Sequence, residues 1–172
     1  MAQPKLPLPL RFEEIMRRHQ REIMLYLLRL SSHPEDAADL FQETWLRAYR
    51  AYPRLEPDDS VRPWLYTIAS NLWRNRARDS ARRARVLAPA QKQSPAGDLI
   101  ANDHRLDYGS EGYAAVHLRE LIAALPVKQQ QALHLRYFAG LDYAAIAAAI
   151  DCSEESARAN VSQAMRKLKK RW

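Results

Sequence analysis

GLDYAAIAAAIDCSEESARANVSQAMRKLKKRW, residues 140–172, decides the fold. Asp142 suits the N-cap of a short helix, with Ile146 and Ile150 four apart on one face. Asp151, Cys152 and Ser153 interrupt that pattern. Ser153 is a second N-cap, and Glu154 and Glu155 put negative charge in the first turn, where the helix dipole favours it. The following helix carries Ala157, Val161, Ala164 and Leu168 as one apolar stripe and ends in Lys167, Lys169, Lys170 and Arg171. Two short helices joined by a tight turn, with a basic end, read as a helix-turn-helix. Ordinary core packing also produces such a pair, so this stretch alone leaves DNA binding and plain packing both open.

The chain has 172 residues and a formal net charge of +7. That excess points to a polyanionic partner without separating DNA from RNA or an acidic membrane surface. Apolar residues make up 47% and only four glycines occur. With Ala, Leu, Arg and Glu abundant, the expected class is all-α. The single cysteine, Cys152, excludes an internal disulfide and suits a reducing cytoplasm. As a turn residue it is expected to pack as a small hydrophobe. No apolar run has the length of a signal peptide or a membrane span, so a soluble cytoplasmic protein without membrane insertion is expected.

Before the helix-turn-helix, the chain divides into segments. Residues 1–10 hold Pro4, Pro7 and Pro9 and read as a flexible arm. Residues 11–85 read as a first helical domain. Its first helix runs from Arg11 to Leu30, with His19 at the edge of the apolar face. Its second, from Glu35 to about Tyr52, has Asp36, Asp39 and Glu43 on its outer side, followed by Arg47 and Arg50. An acidic patch on a basic protein repels DNA, so it suits a protein partner or a solvated face.

After a loop at 53–63, Pro63 opens a long helix. Leu65, Ile68 and Leu72 give it a buried line. Trp64, Tyr66 and Trp73 do not all fit on that line, so exposed aromatic surface is expected. Arg74, Arg76, Arg78, Arg82, Arg83 and Arg85 face a single acid, Asp79. Arginines this dense repel one another unless they meet phosphate, and aromatics beside them suit unpaired bases. Residues 86–112 lose periodicity and turn acidic, as a flexible linker does. Residues 113–172 then read as a second helical domain. His117 and His134 lie in its helices with no second ligand at metal spacing.

Catalytic signatures are missing. There is no Gly-rich phosphate loop, no Cys/His cluster with zinc spacing and no G-x-S-x-G elbow. The expectation is a protein that is not an enzyme and carries no cofactor or metal.

The order of these segments closely resembles the extracytoplasmic-function type of bacterial RNA polymerase sigma factor. Three stretches carry the resemblance: DAADLFQETWLRAYR (36–50), RPWLYTIASNLWRNRARDSARR (62–83) and LPVKQQQALHLRYFAGLDYAAIAAAIDCSEESARANVSQAMRKLKK (125–170). The resemblance implies that the first grips core RNA polymerase through Asp36, Asp39, Gln42 and Glu43. It implies that the second melts and reads the minus-ten promoter element. There Asn71 meets the unstacked strand, Asp59, Ser60 and Arg62 lie in a base-capturing loop, and Arg74 and Arg78 hold phosphates. It implies that the third reads the minus-thirty-five element.

On a helical wheel Ala159, Ser162, Gln163 and Arg166 point away from the apolar stripe, with Arg158 on the flank, so these are the candidate promoter contacts. The family often has Val-Gly where Glu154 and Glu155 stand, and Arg where Asn160 and Gln163 stand, so the promoter preference is expected to be unusual. An anti-sigma partner is also implied. The alternatives are a stand-alone helix-turn-helix regulator and a helical adaptor.

Overall fold

The computed structural model describes residues 8–31, 33–55, 60–87 and 113–172. Among them are seven α-helices and a single 3-10 turn, Tyr52–Arg54, with no strand. The first three helices are α1 (Leu8–Leu30), α2 (Pro34–Ala51) and α3 (Val61–Leu87). The other four are α4 (Tyr113–Ala123), α5 (Val127–Tyr137), α6 (Tyr143–Ile150) and α7 (Glu154–Arg171). The expected all-α class holds. Helix α1 starts at Leu8, inside the segment expected to be a loose arm. Pro9 sits in its first turn, where a missing N–H costs nothing. Helix α3 runs on to Leu87; residues 88–112, expected to be the acidic linker, lie outside the described residues.

The helix-turn-helix forms as its caps dictate. Asp142 Oδ1 accepts from the Ala145 N–H at 2.8 Å, and Ser153 Oγ accepts from the Ser156 N–H at 3.1 Å. Between them Asp151 adopts a left-handed conformation with φ of 54°, which ends α6 and turns the chain. Asp tolerates that region better than most residues. Ala157, Val161, Ala164 and Leu168 are all buried, as their spacing predicts. Gly140 ends the preceding turn at a φ of 66°, a value glycine adopts without strain. Cys152 packs half-buried against the core. Burial pushes its thiol pKa up, against the pull of Lys128, so little thiolate forms at neutral pH.

One apolar core runs through both halves of the chain. Ile23, Leu27, Leu40, Leu65 and Leu72 of α1–α3 are contiguous with Leu135, Ile146, Ile150 and Val161 of the C-terminal helices. Helix α6 is the reason. In YAAIAAAI no side chain after Tyr143 is polar, so the helix must be covered on more than one side. Helix α7 covers one side and α3 another. Ile146, Ala147, Ala149 and Ile150 are buried as a result. A smaller cluster of Ile122, Leu125, Leu133, Ala164 and Leu168 fastens α4 and α5 to α7.

His134 of α5 is only 3% exposed, and neither ring nitrogen has a hydrogen-bond partner among the protein atoms. Burial, with the charge of Arg29 adding to it, lowers its pKa from 6.5 to about 4. The native state therefore holds the neutral ring. The unfolded chain takes up a proton as pH falls below 6.5 while the folded one does not until about pH 4, so stability drops across that window. The expected loss between pH 7 and pH 5 is about 2 kcal/mol, from ~1.4 kcal/mol per unit of pKa difference. Urea melts of the wild type and His134→Leu at the two pH values check this. The two proteins losing the same stability on acidification would overturn it.

Candidate nucleic-acid interface

Helix α7 presents all five residues singled out on its outer face. Arg158, Ala159, Ser162, Gln163 and Arg166 are exposed. A shallow groove of about 490 Å³ lies beside them, lined by Tyr137, Tyr143, Arg158, Ser162, Arg166 and Lys169. Lys169 belongs to the basic end of the helix, while Tyr137 and Tyr143 come from outside α7. The spacing of Tyr143 from Arg158 spans two helices, which a wheel drawn for α7 alone does not show.

The ring of Tyr143 is held between two guanidiniums, Arg136 at 4.7 Å and Arg158 at 4.6 Å from its centroid. Glu154 also hydrogen-bonds Arg158. The acidic first turn of α7 thus steers this arginine along the helix and lowers the positive charge it presents. Gln163 is oriented by a relay. Lys167, a donor only, bonds Gln129 Oε1 at 3.0 Å, so the amide nitrogen of Gln129 must donate to Gln163 Oε1, at 2.9 Å. The relay therefore engages the carbonyl oxygen of Gln163 and leaves its amide nitrogen facing outward on an exposed side chain.

The candidates on and before α3 divide into two sets. Ser60 and Arg78 are exposed, and Asp59 lies outside the described residues. Arg62, Asn71 and Arg74 turn toward the C-terminal helices instead. Arg62 bonds Glu22 Oε2 at 2.9 Å and the Ala139 carbonyl at 2.6 Å. Arg74 is only 7% exposed; it donates to the Ile150 carbonyl at 2.5 Å and to the side chain of Asn71.

The expected exposed aromatic surface on α3 is not present. Tyr66 is 2% and Trp73 9% exposed, and Trp64 packs half-buried against the core. Tyr66 is covered by α1, where its ring packs edge-on against Tyr26 at 5.1 Å and its hydroxyl donates to Glu22 Oε2 at 3.2 Å, and α6 packs against α3 as well. Glu22 anchors the start of α3. Burial raises its pKa, but hydrogen bonds from His19 and Arg62 and the charge of Arg62 outweigh this and hold it below the usual value.

On α2, Asp39 and Gln42 are exposed and Asp36 and Glu43 half-buried. The acids are locally compensated. Arg76 of α3 reaches Asp36 at 3.0 Å and Asp39 at 3.7 Å, and Arg47 bonds Glu43 at 2.7 Å. Such surface pairs contribute little to stability, so this face remains open to a cationic partner. Among the described residues no group of three His, Cys, Asp or Glu side chains converges to hold a metal ion. No helix among them is long and apolar enough to cross a membrane.

Two family models match the chain. The family model for Sigma-70 region 2 matches residues 15–83, and that for Sigma-70, region 4 matches residues 116–168. The RNA polymerase sigma-H factor of Pseudomonas aeruginosa is 30% identical over 173 residues, covering 92% of this chain and 84% of that protein. The ECF RNA polymerase sigma factor SigC of Mycobacterium tuberculosis is 31% identical over 153 residues, covering 88% and 78%. The fold is similar to that of the sigma factor RpoE from Bartonella quintana, solved in complex with the anti-sigma factor NepR. That match has a TM-score of 0.75 and 23% identity and covers 92% of this chain and 94% of that one. The chain therefore belongs to the sigma-70 family of RNA polymerase sigma factors, in its extracytoplasmic-function group, and is an alternative sigma factor that directs RNA polymerase.

Proposed function

We propose how this sigma factor distributes its work over its helices. The exposed face of α7, with Arg158, Ala159, Ser162, Gln163 and Arg166, reads the minus-thirty-five element in the major groove. Ser60, Arg62, Asn71, Arg74 and Arg78, with Asp59, hold the opened minus-ten strand. Asp36, Asp39, Gln42 and Glu43 dock on core polymerase. The chain acts in the cytoplasm and supplies recognition and strand capture, while the polymerase supplies catalysis. An anti-sigma factor keeps it inactive until needed.

The observation that carries this reading is the separation of charge. A face rich in cations and amides lies on α7, beside Tyr137 of α5 and Tyr143 of α6, while the acids gather on α2. Cations and amides recognise phosphates and base edges, and acids suit a basic protein surface. Mapping start sites on genomic DNA with core polymerase alone and with added protein tests it. New starts sharing two upstream elements are expected. If the added protein never alters start-site choice, the reading fails.

A further inference from the structure

We infer that Gln129 of α5 is a specificity-determining residue for the minus-thirty-five element, because it fixes which end of the Gln163 amide faces the DNA. The inference rests on the proposed base-reading role of α7. An exposed glutamine is an ambivalent reader, presenting its carbonyl acceptor or its NH2 donors according to a half-turn about one bond. Lys167 removes that ambivalence. Its ammonium has donors only, so the atom it meets at 3.0 Å is Gln129 Oε1. Gln129 Nε2 is then left to donate to Gln163 Oε1 at 2.9 Å. Gln163 and Lys167 stand one turn apart on α7, and one amide spans both.

The α5 end of this relay is held in place. Gln129 is 6% exposed, and its backbone N–H bonds the Pro126 carbonyl in the first turn of the helix. Leu133, one turn further on, packs with Ala164 and Leu168 of α7. Those two residues directly follow Gln163 and Lys167 in sequence, so the apolar contact sets the spacing of the two helices beside the relay. Reversal of the Gln163 amide would bring its NH2 against that of Gln129. A buried donor would then lose its acceptor, at the cost of its desolvation.

The outward end of Gln163 is therefore the pair of N–H donors. In the major groove guanine offers two acceptors, O6 and N7, and no donor. Adenine sets an N6 donor beside its N7 acceptor, and cytosine offers the N4 donor alone. A glutamine free to use both ends of its amide suits adenine. One whose carbonyl is already engaged by the protein suits guanine.

The test uses the full chain assembled with core polymerase. A promoter found by start mapping is randomised across its minus-thirty-five element, and the bound templates are sequenced. Gln163→Ala identifies the contacted position as the one where preference disappears. There the wild type should favour guanine over adenine by at least about 5-fold, the low end of what a good base contact discriminates. Gln129→Glu keeps the shape and the Lys167 contact but offers acceptors at both oxygens. Gln163 must then turn its NH2 inward and its carbonyl outward, so the preference should invert to adenine or cytosine. Gln129→Met grips neither partner and should bring the discrimination below about 2-fold. It decides the matter if circular dichroism shows Gln129→Glu unfolded.

Inversion is a readout that a packing role does not produce, since poorer packing weakens binding to every sequence alike. A wild-type preference for any base other than guanine at the contacted position overturns the inference. So does a folded Gln129→Glu protein that keeps the guanine preference or only binds all templates more weakly, or a Gln129→Met protein with wild-type discrimination. Failure of the α7 reading appears separately, as a Gln163→Ala protein with wild-type preference at every position, and it takes the inference with it.

Discussion

Arg158→Glu together with Arg166→Glu is expected to lower initiation from a promoter with a minus-thirty-five element by about 100-fold or more. Both side chains are exposed on α7 and line the groove beside Tyr143. Each contact to phosphate or base edge is worth roughly 1–3 kcal/mol, so two lost together cost about 2–6 kcal/mol, a range that brackets the ~2.7 kcal/mol of a 100-fold change. Reversal adds repulsion from DNA to the loss of attraction. The cost to folding is small by comparison. The Glu154 to Arg158 pair is an exposed contact within one helix, of a kind worth a few tenths of a kcal/mol. Run-off transcription across a salt series checks the prediction, with urea melts as the control. The logarithmic salt dependence of promoter binding should become shallower by about 2, one for each phosphate contact removed. Unchanged initiation and an unchanged salt slope in a stably folded double variant would remove α7 from the promoter interface.

The parts of the fold that were legible in the sequence are those set by local rules. Caps at Asp142 and Ser153 and the stripe from Ala157 to Leu168 fix the helix-turn-helix within thirty residues of chain. The outward set on α7 follows from the same periodicity, because a helix with one buried stripe exposes the rest. The packing of the two halves was not read, although one clue was present. The spacing of Ile146 and Ile150 marks one apolar face of α6, and the alanines around them leave no polar face opposite it. A helix with no polar residue after its first position needs cover on more than one side, and Ala147 and Ala149 are buried accordingly. The aromatic surface expected on α3 is absent for a related reason. Tyr66 is covered by Tyr26 and Glu22 of α1, and α6, from far along the chain, packs on α3 as well. A periodicity read in a short window carries no information about such a partner. The clamp of Arg136 and Arg158 around Tyr143 went unread for a similar reason, since its three residues come from three helices.

Arg74→Met separates function from stability, because two opposing effects meet at one side chain. Methionine keeps most of the arginine's apolar stem and deletes its charge. The deletion leaves the Ile150 carbonyl at the C-terminal end of α6 without its donor, one of the carbonyls a helix cannot satisfy by itself. That loss costs roughly 1–3 kcal/mol. Against it stands the removal of a charge that is 7% exposed and has an unpartnered Nε. Buried charges are often replaced by apolar groups at no net cost, because the desolvation penalty disappears with them. The expected change in unfolding free energy is therefore within about 1 kcal/mol, in either direction. Initiation behaves differently. With Arg74 in its proposed strand-holding role, the opened promoter loses a charge-assisted contact worth about 1.5–3 kcal/mol, so formation of the open complex is expected to fall by at least about 10-fold. Binding to core polymerase is expected to be unchanged, since the acids of α2 proposed to dock on it are untouched. Permanganate footprinting of the melted region, beside a polymerase-binding assay and a urea melt, separates these quantities. Loss of polymerase binding or a large fall in stability would make Arg74 a structural residue. Wild-type strand opening by a stable variant would show that the guanidinium serves only the Ile150 carbonyl.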